Sequence, residues 1–246
     1  MIFRRLHPDP AEVTPAEQFD PVDLGALAPA GRPYVVVNFV ASLDGRAAFR
    51  GRSGPLNDEA DTEIFHTLRT LADAVLVGTG TLRAERYGRL AARPERREQR
   101  VARGLAPDPL AVVITRSGDV PGDIPLLADP ASTLVVYTGA ELAPPAAAAR
   151  VEVVRLTHAT PTAALAHLRT EVGVRSVLCE GGPTLTAALL AGGLVDELFL
   201  TLSPRLTGGG DEPAVTRGPE LAELAEAELV WALERESFMF LRYRVG

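Results

Sequence analysis

A chain of 246 residues, 46% hydrophobic and 23% charged, is long enough to bury one sizeable core without disulfides or metal. Its formal charge of −7 excludes general nucleic-acid binding by phosphate neutralisation, and its single cysteine, Cys179, excludes an intrachain disulfide, a Cys-x-x-Cys pair and a Cys-rich zinc site. All 25 basic residues are arginine, so Schiff-base lysine and P-loop lysine chemistry are excluded too. With no apolar run of about 18 residues and no signal-like opening, neither membrane insertion nor secretion is expected, and a reducing cytoplasm is the expected compartment.

Residues 1–32 hold five prolines and few periodic apolar positions, which predicts an irregular lead-in to a single domain over 33–246. Tyr34-Val35-Val36-Val37-Asn38-Phe39-Val40 then reads as a strand buried on both faces, and Ser42-Leu43-Asp44-Gly45 as the turn that ends it. Asn57-Asp58-Glu59 supplies a cap and an acidic first turn for a helix over about 58–71, with Ile64, Phe65, Leu68 and Leu71 on one face. A strand at 74–77, a helix start at 79–85 and strands at 110–115, 134–137 and 151–154 follow. Next come a helix over 162–172, a strand at 176–179, a helix over 183–190 with proline in its first turn, and a strand at 198–202. Residues 229–235 and 238–245 alternate as an antiparallel pair, which offers an apolar edge for a dimer. The Arg-rich 83–103 and the Ala/Pro-rich 143–149 read as loops within the domain. Strands separated by helices predict an α/β fold with a mostly parallel central sheet, flanked by helices, and ligands at the carboxyl ends of its strands.

Two glycine turns stand at such ends. Glu180-Gly181-Gly182-Pro183-Thr184-Leu185 joins a strand to a helix, and Val77-Gly78-Thr79-Gly80-Thr81 does the same, so each presents unpaired N–H groups and a positive helix end to an anion. Two such turns on neighbouring strands suit an extended dinucleotide, although neither carries the Gly-x-Gly-x-x-Gly fingerprint. Arg116 and Ser117, after the strand at 110–115, form either a 2′-phosphate clamp, which favours NADPH over NADH, or an ordinary polar turn.

Asp44 and Glu180 are acids at comparable strand ends and are candidates for a general acid or for orienting a pyrimidine, with a turn-capping role as the other reading of Asp44. Arg69, near a helix end, either grips a substrate phosphate or offsets the helix dipole. The eight arginines of 83–103 read as a solvated surface, the four histidines show no ligand spacing, and Cys179, Trp231 and Met239 read as packing residues.

Taken in order, Arg32-Pro33-Tyr34-Val35, Ala41-Ser42-Leu43-Asp44-Gly45, Gly51-Arg52-Ser53-Gly54, the run Leu68 to Thr81, Glu180 to Leu185 and Leu194-Val195-Asp196-Glu197-Leu198 form a recognisable series. The chain from Pro33 onward resembles the pyrimidine reductase family of riboflavin biosynthesis, whose fold is like that of dihydrofolate reductase. The resemblance implies NADPH-dependent reduction of 5-amino-6-(5-phosphoribosylamino)uracil to the ribitylamino product by hydride transfer to sugar C1′, in a homodimer. Carried onto this sequence, it implies cofactor contacts at Thr81, Glu85 and the turn Gly182, Pro183, Thr184, Leu185, with Arg116 and Ser117 at the 2′-phosphate, and the two glycine turns add Gly78, Thr79 and Gly181 to the expected cofactor site. It implies substrate contacts at Asn38, Ser53, Arg69 and Glu180, with Arg69 on the phosphate, and matches Asp44 to the family's strand-end acid.

Bifunctional members add a zinc deaminase with His-x-Glu and Pro-Cys-x-x-Cys motifs, which this sequence lacks, so deaminase activity is not expected. Asn38 where those members carry lysine, Pro55 where they carry tryptophan and Glu85 where aspartate is usual bear on the substrate more than on the cofactor. The alternatives are a dihydrofolate or pteridine reductase on the same fold and a non-catalytic NADP-binding protein.

Overall fold

Short, mostly apolar runs suit strands covered on both sides, and four of them pair side by side at the centre of the sheet. The computed structural model describes residues 1–208 and 210–246. In chain order its strands are β1 (Phe3–His7), β2 (Ala11–Val13), β3 (Tyr34–Ser42), β4 (Ala74–Val77), β5 (Leu110–Thr115), β6 (Thr133–Thr138), β7 (Arg150–Arg155), β8 (Ser176–Cys179), β9 (Glu197–Ser203), β10 (Ala227–Arg235) and β11 (Phe238–Val245). The α-helices are α1 (Pro15–Phe19), α2 (Glu59–Arg69), α3 (Thr79–Ala84), α4 (Pro94–Ala102), α5 (Pro125–Ala128), α6 (Pro161–His167) and α7 (Pro183–Ala191).

The strands form one sheet in the order β2-β1-β10-β11-β9-β3-β8-β4-β5-β6-β7. From β9 to β7 all neighbours are parallel, and from β9 to β2 all are antiparallel. Alternate residues of the parallel strands feed two cores. Val36, Val75 and Val113 pack with Ile64 and Leu68 of α2 and Leu82 of α3 on one face. Val35, Leu76 and Val112 pack with Leu165 of α6 and Leu189 of α7 on the other. The helices begin where the sequence places caps: the Asp58 side chain accepts from the Asp61 N–H, and the Thr160 side chain from the Ala163 N–H.

Three expectations are corrected. The proline-rich start is not irregular, because β1 and β2 extend the sheet and β1 pairs antiparallel with β10. Phe3 is buried edge-to-face on Phe240, and the strand is short enough that its flanking prolines mask it in the sequence. The Arg-rich 83–103 is not all loop, since it contains α4, whose Arg100 is fully buried and donates to the carbonyls of Arg69, Ala72 and Ala106. Arg100 thereby closes the C-terminal end of α2, and burial lowers its pKa to about 10. Finally, residues 229–245 offer no sheet edge, because β10 lies between β1 and β11, and β11 between β10 and β9.

Candidate active site

Parallel pairing of β4 with β8 sets the two glycine turns against each other. The Gly78 N–H donates to the Gly181 carbonyl at 2.8 Å, and the Gly181–Gly182 peptide bond is cis. Gly181 has φ +91°, and a Cβ there would meet the Phe39 ring at 3.1 Å, so the position needs glycine on both counts. A Cβ on Gly182 would lie 3.0 Å from Thr81 Oγ1, so a side chain there would press on the start of α3. Neither Gly78 nor Gly182, the N-caps of those helices, has a side chain that caps the N–H groups. Gly78 spends its own N–H on Gly181, so the open amides are that of Gly182 and those of the first turns of α3 and α7, an arrangement suited to the diphosphate of a dinucleotide.

Beside the turns lies a cleft of about 530 Å³. β3 brings Asn38 to it, the following loop Ser53, and α2 Arg69, while Thr81 and Glu85 come from α3 and its end. Glu180, Gly181, Gly182 and Pro183 complete it from the end of β8. Residues spread over more than a hundred sequence positions thus line one space. Two of them are linked directly, because Glu85 Oε1 accepts from both the N–H and the hydroxyl of Ser53, at 2.9 and 3.0 Å.

A buried ion pair lies in the wall of the cleft. Arg69 donates from Nε and Nη2 to the two oxygens of Glu180 at 2.6 and 2.7 Å, and from Nη1 to the Leu90 carbonyl at 3.1 Å. Tyr87 donates its hydroxyl to Glu180 Oε2 at 2.8 Å. The guanidinium also lies over the Phe65 and Tyr87 rings, with centroid distances of 4.3 and 5.5 Å. Burial alone would lower the Arg69 pKa, but Glu180 outweighs it and holds the pKa above the ordinary value. Burial and the neighbouring carboxylate push the Tyr87 hydroxyl well above its usual range, so it stays a donor. Three of the five N–H donors of Arg69 are committed in this arrangement, and its charge is balanced by Glu180.

Asp44 is not among the residues that line the cleft. Its carboxylate accepts from the Ser42 hydroxyl at 2.6 Å and from the Thr207 hydroxyl and the Thr207 and Gly208 N–H groups. These bonds, that from Ser42 foremost, hold its pKa far below the usual carboxylate range, so Asp44 stays ionised and ties two loops together instead of supplying a proton. Arg116 and Ser117 are exposed at the end of β5, next to β4 in the sheet and outside the cleft lining. Gly78, Thr79, Thr184 and Leu185 form the helix starts behind the lining. Cys179 is fully buried, and burial pushes its thiol up to about 12.

Tyr87, Asn57 and Asp61 are among the cleft residues that sequence reasoning missed. Tyr87 sits in a run with no periodicity to flag it, and Asn57 and Asp61 look like ordinary helix-start residues. In the structure Asp61 is buried with its pKa raised to about 6, first by burial and then by the nearby Asp58, against the hydrogen bond from Thr201. Among the described residues no helix is long and apolar enough to cross a membrane.

Residues 33–235 match the family model described as the RibD C-terminal domain. The chain is 34% identical over 205 residues to a protein of Archaeoglobus fulgidus named 2,5-diamino-6-ribosylamino-4(3H)-pyrimidinone 5′-phosphate reductase, covering 81% of this chain and 93% of that one. A protein of the same name from Methanothermobacter thermautotrophicus is 31% identical over 201 residues, covering 80% of this chain and 89% of that one. A solved structure of a pyrimidine reductase-like protein from Corynebacterium diphtheriae superposes with a TM-score of 0.76 at 21% identity, over 94% of this chain and 98% of that one. The sheet order, the paired glycine turns and this superposition define a dihydrofolate-reductase-like α/β protein. Within that class, the chain belongs to the RibD C-terminal domain family.

Proposed function

We propose that the protein is a cytoplasmic, NADPH-dependent reductase of riboflavin biosynthesis that converts a ribosylamino pyrimidine 5′-phosphate to its ribitylamino product. The ring is either the uracil that the family resemblance implies or the 2-amino pyrimidinone for which the two archaeal relatives are named. The observation that carries this reading is the meeting of the uncapped glycine turns with the Arg69–Glu180 pair in one cleft.

NADPH, when bound, supplies a hydride to C1′ of the ring-opened sugar imine. Thr81 and the N–H groups of Gly182, Thr184 and Leu185 would hold its diphosphate, Glu85 positions the loop that carries Ser53, and Arg116 with Ser117 would take the 2′-phosphate. Asn38 and Ser53 contact the substrate. Arg69 orients Glu180 and turns its remaining donors toward the substrate phosphate. The imine nitrogen gains one proton as C1′ gains hydride. Both oxygens of Glu180 already accept hydrogen bonds and Asp44 is ionised elsewhere, so water entering the cleft delivers that proton. The main contribution of the chain is alignment.

The homodimer belongs to this reading. Leu200 and Leu202 of β9 pair with Leu241 and Met239 of β11, and these four side chains are part-exposed and belong to neither core. They present a sheet face, not an edge, to a second copy.

In the test, the purified protein receives NADPH with each ribosylamino pyrimidine phosphate and, in parallel, with dihydrofolate. Loss of nicotinamide absorbance with a sugar phosphate and not with dihydrofolate is the expected result. Turnover of dihydrofolate alone, or none with any substrate, contradicts it.

A further inference from the structure

Along α2 the cleft-lining residues recur every fourth position: Asn57 just before the helix, then Asp61, Phe65 and Arg69. Asp61 and Arg69 lie about 12 Å apart along the helix axis, a span that suits a substrate with its ring at one end and its phosphate at the other. Asp61 is 6% exposed, has no ion-pair partner among the described residues, and has its charge opposed by Asp58. Among the described residues the Thr201 hydroxyl is the one protein donor that faces it, and a buried carboxylate in a cleft wall with a single hydroxyl donor and no cation is costly unless a ligand brings further hydrogen-bond donors to it. Asn57 Oδ1, in the same wall, is buried and accepts no hydrogen bond. That end of the cleft therefore presents acceptors in excess of donors.

The two candidate rings differ at this edge. A 2-aminopyrimidin-4-one offers N3–H and the 2-amino group side by side, two donors that match the two oxygens of one carboxylate. A uracil offers N3–H beside the C2 carbonyl, which would place an acceptor against an acceptor.

Resting on the proposed reductase function, we propose that Asp61 is the ring-specificity residue, and that its carboxylate selects the 2-amino pyrimidinone over the uracil by pairing with N3–H and the 2-amino group.

The test compares kcat/KM for the two ribosylamino pyrimidine phosphates, with NADPH, in the wild-type protein and in Asp61→Asn. The wild type is expected to favour the 2-amino ring by roughly 10- to 100-fold, the discrimination of a bidentate pair. Asparagine presents one acceptor and one donor, the complement of uracil, so Asp61→Asn is expected to lose or invert the preference while melting no lower than wild type. A residue needed only for folding would not move the ratio between two substrates. Equal use of both rings by the wild type, a preference for uracil, or an unchanged ratio in Asp61→Asn overturns the proposal while leaving the reductase reading intact. Failure to reduce either ring overturns both.

Discussion

Glu180→Ala is expected to lower stability by about 3–5 kcal/mol and to abolish reduction, because it leaves the Arg69 charge buried without its partner. Tyr87 loses its acceptor in the same step. For a chain of this size the melting temperature should fall on the order of 10 °C. The double replacement Glu180→Leu with Arg69→Met separates the two consequences. Apolar side chains of similar volume in place of a buried ion pair restore stability in general, so the double variant should regain most of the lost melting temperature. It should regain none of the turnover, since the charged pair is where the substrate is proposed to be held. Thermal unfolding and NADPH oxidation on the same samples check this, and recovered turnover in the double variant would show that the pair serves the fold alone.

Gly182→Val is expected to raise the KM for NADPH about 100-fold, the loss of two charge-assisted hydrogen bonds, with only a small change in stability. At Gly182 the backbone has φ −70°, so a side chain is not barred by conformation. What it meets is the Thr81 hydroxyl at 3.0 Å, between the starts of α3 and α7, where the dinucleotide is proposed to lie. Gly181→Val serves as the contrast. There φ is +91° and the Phe39 ring is 3.1 Å from the new Cβ, so that variant should lose about 1–3 kcal/mol of stability as well. A Gly182→Val protein with an unchanged KM for NADPH would remove the glycine turn from the cofactor site.

The legible and illegible parts of this molecule divide along physical lines. The strands at 74–77, 110–115 and 176–179 stand where the sequence puts them, because a run of Val, Leu and Ala buried on both faces has few other uses in a chain of this composition. β1 was hidden because Phe3 is the one residue it fully buries, and its partner β10 lies more than two hundred positions away. α4 was hidden because six of its nine residues are charged or polar, and only the structure shows that Arg100 points inward to carbonyl oxygens.

The site divides the same way. Glycines between a strand and a helix announce themselves locally, and a parallel sheet brings two such junctions together. The pairing of Arg69 with Glu180 spans 111 positions, so each residue alone read as a ligand for substrate when each is first a partner of the other. Asp44 carries a strand-end signal that a turn cap produces equally well, and four hydrogen-bond donors around it decide the matter. Asp61 gave no signal beyond that of a helix's acidic first turn, because its burial depends on β9, a strand far along the chain.

The central claim, that this cleft aligns a nicotinamide with the sugar carbon of a pyrimidine phosphate, is tested most directly by isotope transfer. The protein is supplied with NADPH carrying deuterium at both C4 positions and with the ribosylamino pyrimidine phosphate it turns over fastest, and the product is read by mass spectrometry and NMR. One deuterium at C1′ of a ribitylamino chain is the predicted result. A product without deuterium, or with deuterium on the pyrimidine ring, would contradict the account.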